Sequence, residues 1–148
     1  MEDYNKIIES LGVRYIKSRN IKIAQQVTID NFYDVENTLI LVNNGDIYFG
    51  SDKEKVSEGD MLFIPGGKSL SISFGSLSAA AIPNEEFISN KKKYLQNATE
   101  SEVNDFDVDS FSQVMFEAKV FDSVNYFASL NIPPFAIRKS SLLANLIQ

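Results

Sequence analysis

Hydrophobic and polar positions in this chain fall mostly into short runs of period two, the repeat of a half-buried β-strand. The opening stretch "DYNKIIESLG", residues 3–12, is different. Its Tyr4, Ile7, Ile8 and Leu11 share one face of a short helix, with Asp3 to cap it and Gly12 to end it. From Val13 to Ile29 the pattern is strand-like. "TLILVNNGDIYFG" then predicts a hairpin, because Asn44-Gly45 favours a type I′ turn between paired strands Thr38–Asn43 and Asp46–Gly50. Met61–Ile64 is the next strand. In Ser69–Phe74, Leu70, Ile72 and Phe74 alternate with Ser69, Ser71 and Ser73, giving one apolar and one small-polar face. "SLSAAAIP" reads as a further strand. Past Pro83, "NEEFISNKKKYLQNATESEVNDFDVDS" is polar and acidic, a partly helical excursion over the surface. Alternation returns in Ser112–Phe121, with Val114, Phe116, Ala118 and Val120 on one face. Helical spacing follows in "VNYFASL" and, after Pro133-Pro134, in "SSLLANLIQ". Many short strands with closely spaced turn signals predict a sandwich or barrel.

Composition narrows what such a scaffold can do. A chain of 148 residues fits one domain, and 44% hydrophobic content with 11 Phe and 6 Tyr supplies a core. Met1–Leu11 lacks the basic start and long apolar run of a signal peptide, and no apolar run approaches the roughly 20 residues of a membrane helix. The expectation is a soluble cytoplasmic protein. Cysteine is absent, which excludes disulfides, thiolate metal sites and a Cys nucleophile. Histidine is absent too, which removes Ser-His and Cys-His dyads and ordinary zinc sites. The net charge is −6, and the one basic cluster, Lys91-Lys92-Lys93, sits among acidic residues, so the chain alone is not expected to bind DNA.

Three short motifs imitate chemistry without completing it. "GGKS" at Gly66–Ser69 has Leu62 where a phosphate loop needs its first glycine. "DFDVDS" at Asp105–Ser110 has Ser110 and Phe116 where a calcium loop needs Gly and Glu. Glu36 and Asp60 are the carboxylates available as an acid/base pair, but Asp60 after Gly59 suits a turn.

The stretch "VSEGDMLFIPGGKSLSISF" carries a more specific frame. Gly59, five residues, Pro65, one residue, Gly67 resembles the second sequence motif of the cupin superfamily, with Gly45 where the first motif ends. Gly59-Asp60 turns the chain into a strand, Pro65 ends its pairing, and Gly67 permits the next bend. Leu70 stands at the position of the family's second-motif histidine, and Phe32, Tyr33, Asp34 and Thr38 do not reproduce its ligand triad, so no metal or other cofactor is expected. With "LILVNNGDIYFG", "VFDSVNYFASLNIPPFAI" and "LLANLIQ", the chain resembles the N-terminal sensing domain of AraC-type transcription regulators.

That resemblance implies a mainly β fold, a cupin-like double-stranded β-helix (jelly roll) with C-terminal α-helices. It divides the chain into an N-terminal helix or arm (1–12), a barrel (13–83 and 112–121) and a helical dimerisation region (122–148). It implies an effector-sensing, dimerising, non-catalytic domain that reaches DNA only through a further C-terminal domain. By alignment, effector-contacting positions fall on Leu70, Ile72, Leu77 and Ala79, with Tyr48 and Phe116 near them. These offer almost no hydrogen bonds, which disfavours a sugar; either a small apolar effector enters or the interior is simply packed. The N-terminal helix is either a lid or a permanent cover. Leu142, Leu143, Leu146 and Ile147 form an apolar stripe suited to a homodimer contact. Two other readings stay open: a metal-independent cupin enzyme of the sugar-nucleotide isomerase type, weakened by the lack of a His base, and a free-standing small-molecule-binding cupin.

Overall fold

The computed structural model describes residues 14–77, 81–117 and 133–139. In chain order they form β1 (Arg14–Ile23), β2 (Val27–Phe32), β3 (Asn37–Asn44), β4 (Ile47–Phe49), β5 (Glu54–Val56), β6 (Met61–Ile64), β7 (Leu70–Phe74) and β8 (Ala81–Ile82). Helices α1 (Asn84–Ser89) and α2 (Lys91–Tyr94), strand β9 (Leu95–Asn97), helix α3 (Glu100–Val103), and strands β10 (Ser110–Glu117) and β11 (Phe135–Ile137) follow. The expected strand-rich class and the partly helical excursion after Pro83 are both present. The N-terminal helix, Ala118, Val120 and the C-terminal helices lie outside the described residues.

The strands make two sheets. One has six strands in the order β11-β6-β3-β10-β1-β9, and the other has five in the order β5-β4-β7-β2-β8. Pairing is antiparallel throughout except between β2 and β8. Ile21, Ile40, Val42, Leu62, Ile64 and Phe111 from the larger sheet pack with Val27, Ile29, Ile47, Leu70, Ile72 and Phe74 from the smaller. A β-sandwich results, because each sheet hides an apolar face only against the other. The rings of Phe74 and Phe111 stack across the layers with centroids 5.4 Å apart.

The larger sheet is apolar on its other face as well, where Leu39, Met61, Phe63 and Val114 form a second buried cluster with Leu41 and Ile137 beside it. This explains why "LILV" and "MLFI" are continuous apolar runs rather than alternating ones: both faces of β3 and β6 are buried. In β7 the alternation holds, with Leu70, Ile72 and Phe74 all in the core. Its Ser73 is also buried and is satisfied by Thr28, hydroxyl to hydroxyl, at 2.9 Å across the strand pair.

The hairpin expected at Asn44-Gly45 is not there. β3 and β4 belong to different sheets. Both edges of β3 are taken, by β10 and by β6, and those of β4 by β5 and β7. Gly45, at φ +90°, instead carries the chain across from one sheet to the other. The side-chain amide of Asn44 pins this corner by donating to the carbonyls of Phe106 (2.8 Å) and Val108 (3.0 Å). An Asn-Gly step states that the backbone turns; it does not state which strand it will pair with.

The glycine-proline frame is used for corners too. Gly59 and Gly67 both have positive φ. Pro65 is buried where β6 ends. The N–H of Gly66 donates to Asn37 Oδ1 (2.9 Å) and that of Gly67 to the Asp34 carbonyl (2.8 Å), which seats this corner on the loop between β2 and β3. The approach is so close that a Cβ on Gly66 would run into the carbonyl of Val35. No helix of the described residues is long and apolar enough to cross a membrane.

Candidate ligand cavity between the sheets

The cavity starts from the way α1 lies over the end of β2. Pro83 precedes the helix in extended backbone (φ −68°, ψ 156°), and Glu85 and Glu86 in its first turn complement the helix dipole. One side chain of α1 is buried, Phe87, 2% exposed. Its ring meets Phe32 edge-on at 6.3 Å and Tyr94 of α2 at 6.2 Å. This aromatic row holds α1 and α2 as a cover on the sandwich. Beneath the cover the sheets do not close, and a cavity of about 220 Å³ remains. Ile40, Phe74, Leu95, Phe111 and Met115 floor it, and Phe32 and Phe87 wall it.

Its mouth is polar, formed by Tyr33, Asp34, Asn84, Lys91 and Gln113. Asp34 is fixed in place, since its Oδ1 accepts from the Glu36 N–H (3.1 Å) in an Asx turn. Gln113 Oε1 accepts from Arg19 Nε at 3.3 Å, which brings a guanidinium to the same end of the sandwich. Partial loss of solvation pushes the Lys91 ammonium pKa down, and the positive charges of Arg19 and Lys17 add to that; Asp34 works the other way. Asn84 Oδ1 is buried with no hydrogen-bond partner. The arrangement is an apolar chamber with Lys91 and Asp34 at its entrance and with Arg19 and Lys17 near Lys91.

The residues expected to line a pocket are placed differently. Leu70 and Ile72 are built into the sandwich core, 8% and 0% exposed. Leu77 does not face the interior at all: it is 46% exposed, because β7 stops at Phe74 and Gly75 (φ +96°) turns the chain away. Tyr48 is half-buried on β4, in register with Ser73 and Lys55. None of these four lines the cavity between the sheets. Leu70 borders instead a shallower groove with Phe49, Ser69 and Pro134. Ala79, the Phe116 side chain and the stripe Leu142, Leu143, Leu146 and Ile147 lie outside the described residues. Sequence reasoning missed Phe87, Lys91, Phe111 and Gln113. The legible signal was the few large apolar residues of the polar excursion, of which Phe87, Tyr94 and Leu95 are buried while Ile88 and Phe106 are exposed.

Asp60 is committed to structure. Its carboxylate accepts from the N–H groups of Ser57 (3.1 Å) and Lys139 (2.8 Å) and from Arg138 Nη1 (3.3 Å). The acidic "DFDVDS" loop is organised in the same way, by Asn44 on its carbonyls and by an Asx turn from the Asp107 N–H to Asp105 Oδ1 at 2.9 Å. Among the described residues, no three or more His, Cys, Asp or Glu side chains are grouped to hold a metal ion. No family model, curated protein or solved structure matches the chain.

Proposed function

We propose that this chain is the effector-sensing and dimerisation domain of an AraC-type transcription regulator, built on a cupin-like jelly roll, with neither metal nor catalysis in its own chemistry. The observation that carries this reading is the cavity between the sheets: a chamber with an apolar floor and a polar mouth is the form a small-molecule site takes. Strand order supports the scaffold. Without the peripheral β8, β9 and β11, each sheet keeps four strands, β6-β3-β10-β1 and β5-β4-β7-β2. In chain order these eight strands pass from one sheet to the other at every step except β4 to β5, the pattern expected of a jelly roll. Dimerisation is assigned to residues 122–148 through Leu142, Leu143, Leu146 and Ile147, and DNA contact to a separate domain.

The test is to fuse the 148-residue chain to a DNA-reading head that is inactive as a monomer and to measure a two-half-site reporter. Control of the reporter, lost in Leu143→Asp and Leu146→Asp, is the expected result. A fusion that leaves the reporter silent, while light scattering shows a monomer at every concentration, would leave a binding protein and remove the regulator.

A further inference from the structure

We infer that the cavity between the sheets takes a small organic acid, its carboxylate at the mouth beside Lys91 and Arg19 and its apolar body among Phe32, Phe74, Phe87 and Phe111. The inference deepens the sensing role proposed above and rests on it. Size sets the first limit. About 220 Å³ is below the roughly 300–1,000 Å³ of sites for drug-sized ligands, so the occupant is a single ring or a short chain. The floor sets the second. Its aromatic faces and edges welcome a planar or aliphatic body and offer it no hydrogen bonds, which is the wrong lining for a sugar.

Charge sets the third. The chain as a whole carries −6, yet Lys17 and Arg19 both come close enough to Lys91 at this place to act on its ammonium, with the Asp34 carboxylate opposing them. Three cations held near a partly desolvated mouth repel each other, and an incoming anion relieves that repulsion. Arg19 Nε donates to the cavity-lining Gln113 at 3.3 Å, which ties a guanidinium, the group best suited to a carboxylate, to the cavity's wall. Asn84, whose buried Oδ1 has no hydrogen-bond partner, is a lining residue too, so a small turn of its side chain would offer an acceptor to a hydroxyl or N–H on the ligand body.

The experiment is an NMR titration of the whole chain with phenylacetate, with its neutral isostere phenylacetamide, and with inorganic phosphate, on wild type and Lys91→Glu. Lys91 is exposed on α2, so the substitution leaves the core intact. Phenylacetate should shift the amides of Phe111 and Gln113 and bind about tenfold or more tightly than phenylacetamide. Lys91→Glu should weaken the acid by a similar factor and leave the amide unchanged. Equal binding of acid and amide, equal shifts by phosphate, unchanged acid binding in Lys91→Glu, or no binding of any probe would each overturn the inference. Equal binding of acid and amide would leave the sensing role standing. A silent reporter fusion with intact, charge-dependent acid binding would remove the regulator and leave the site.

Discussion

Asp60 and Arg138, 78 positions apart in the chain, meet at 3.3 Å and tie the corner before β6 to the strand that borders it. The same guanidinium reaches Glu54 Oε2 at 2.6 Å, and the next residue, Lys139, donates its N–H to the other Asp60 oxygen. Because β11 pairs, among the described residues, with β6 alone, this clamp anchors that edge of the larger sheet. Asp60→Ala leaves the Ser57 and Lys139 N–H groups without their acceptor and should cost about 1–3 kcal/mol in urea unfolding. A loss below half a kcal/mol would show that water replaces the carboxylate freely.

The same group gives a pH dependence with a defined sign. Burial pushes the Asp60 carboxyl up, but the hydrogen bonds from Lys139, Ser57 and Arg138, with the Arg138 charge, outweigh it and leave its pKa below the usual 3.8. A lowered carboxylate contributes stability that is present above the unfolded value and lost as pH falls through the folded one. Stability of the wild type should therefore drop more steeply below about pH 4 than that of Asp60→Asn. Parallel acid limbs in the two proteins would contradict it.

Gly45 and Gly50 separate backbone strain from collision. Both have positive φ, +90° and +79°. A Cβ on Gly45 would lie 2.5 Å from Asp109 Cγ, whereas one on Gly50 would meet nothing within 4 Å. Alanine at Gly50 should cost about 1 kcal/mol for conformation alone. Alanine at Gly45 should cost distinctly more, measured by thermal or urea melts. Equal losses would mean that Asp109 moves aside without penalty.

Asp109 carries a strain of its own. Burial raises its pKa, and the neighbouring charge of Asp46 raises it further. A raised carboxylate disfavours folding above its folded pKa, and the penalty fades as pH falls toward the unfolded value. Asp109→Asn should therefore stabilise the protein at pH 7, by up to about 0.5 kcal/mol after solvent screening, with the gain shrinking toward pH 4. A destabilised variant at pH 7 would reverse this reading.

Ile72 and Leu77 contrast core with surface. Ile72, fully buried, should lose about 2–5 kcal/mol as Ile72→Ala. Leu77→Ala, at an exposed position, should fall within about 0.5 kcal/mol of wild type. Comparable losses at the two sites would put Leu77 back in the interior.

Period-two patterning located the individual strands well, because alternation is a local consequence of one buried face, and Ser69–Phe74 with β7 is the clear case. It failed where the deciding fact was remote. Whether Asn44-Gly45 closes a hairpin depends on β6, β7 and β10, none of which is encoded in the turn. The cavity escaped for a similar reason. Phe32, Phe87, Lys91 and Gln113 come from β2, α1, α2 and β10, and no spacing rule links positions so far apart. Of the residues that a motif frame anchored at Leu70 pointed to, the sandwich uses Leu70 and Ile72 as filling and leaves Leu77 exposed.

The pairing of β1 with β9 and β10 has a consequence during synthesis. Ile23 pairs with Leu95 and Arg14 with Glu117, so the first strand is finished long before either partner exists. At about 5–20 residues per second, the ribosome needs roughly 4–14 s to reach Leu95 after releasing Ile23 into the tunnel. For the part of that interval in which β1 has already left the tunnel, both of its edges are unpaired. Lys17, Arg19 and Lys22 place three positive charges along that strand, and like charges of this kind disfavour pairing between two copies of an open edge.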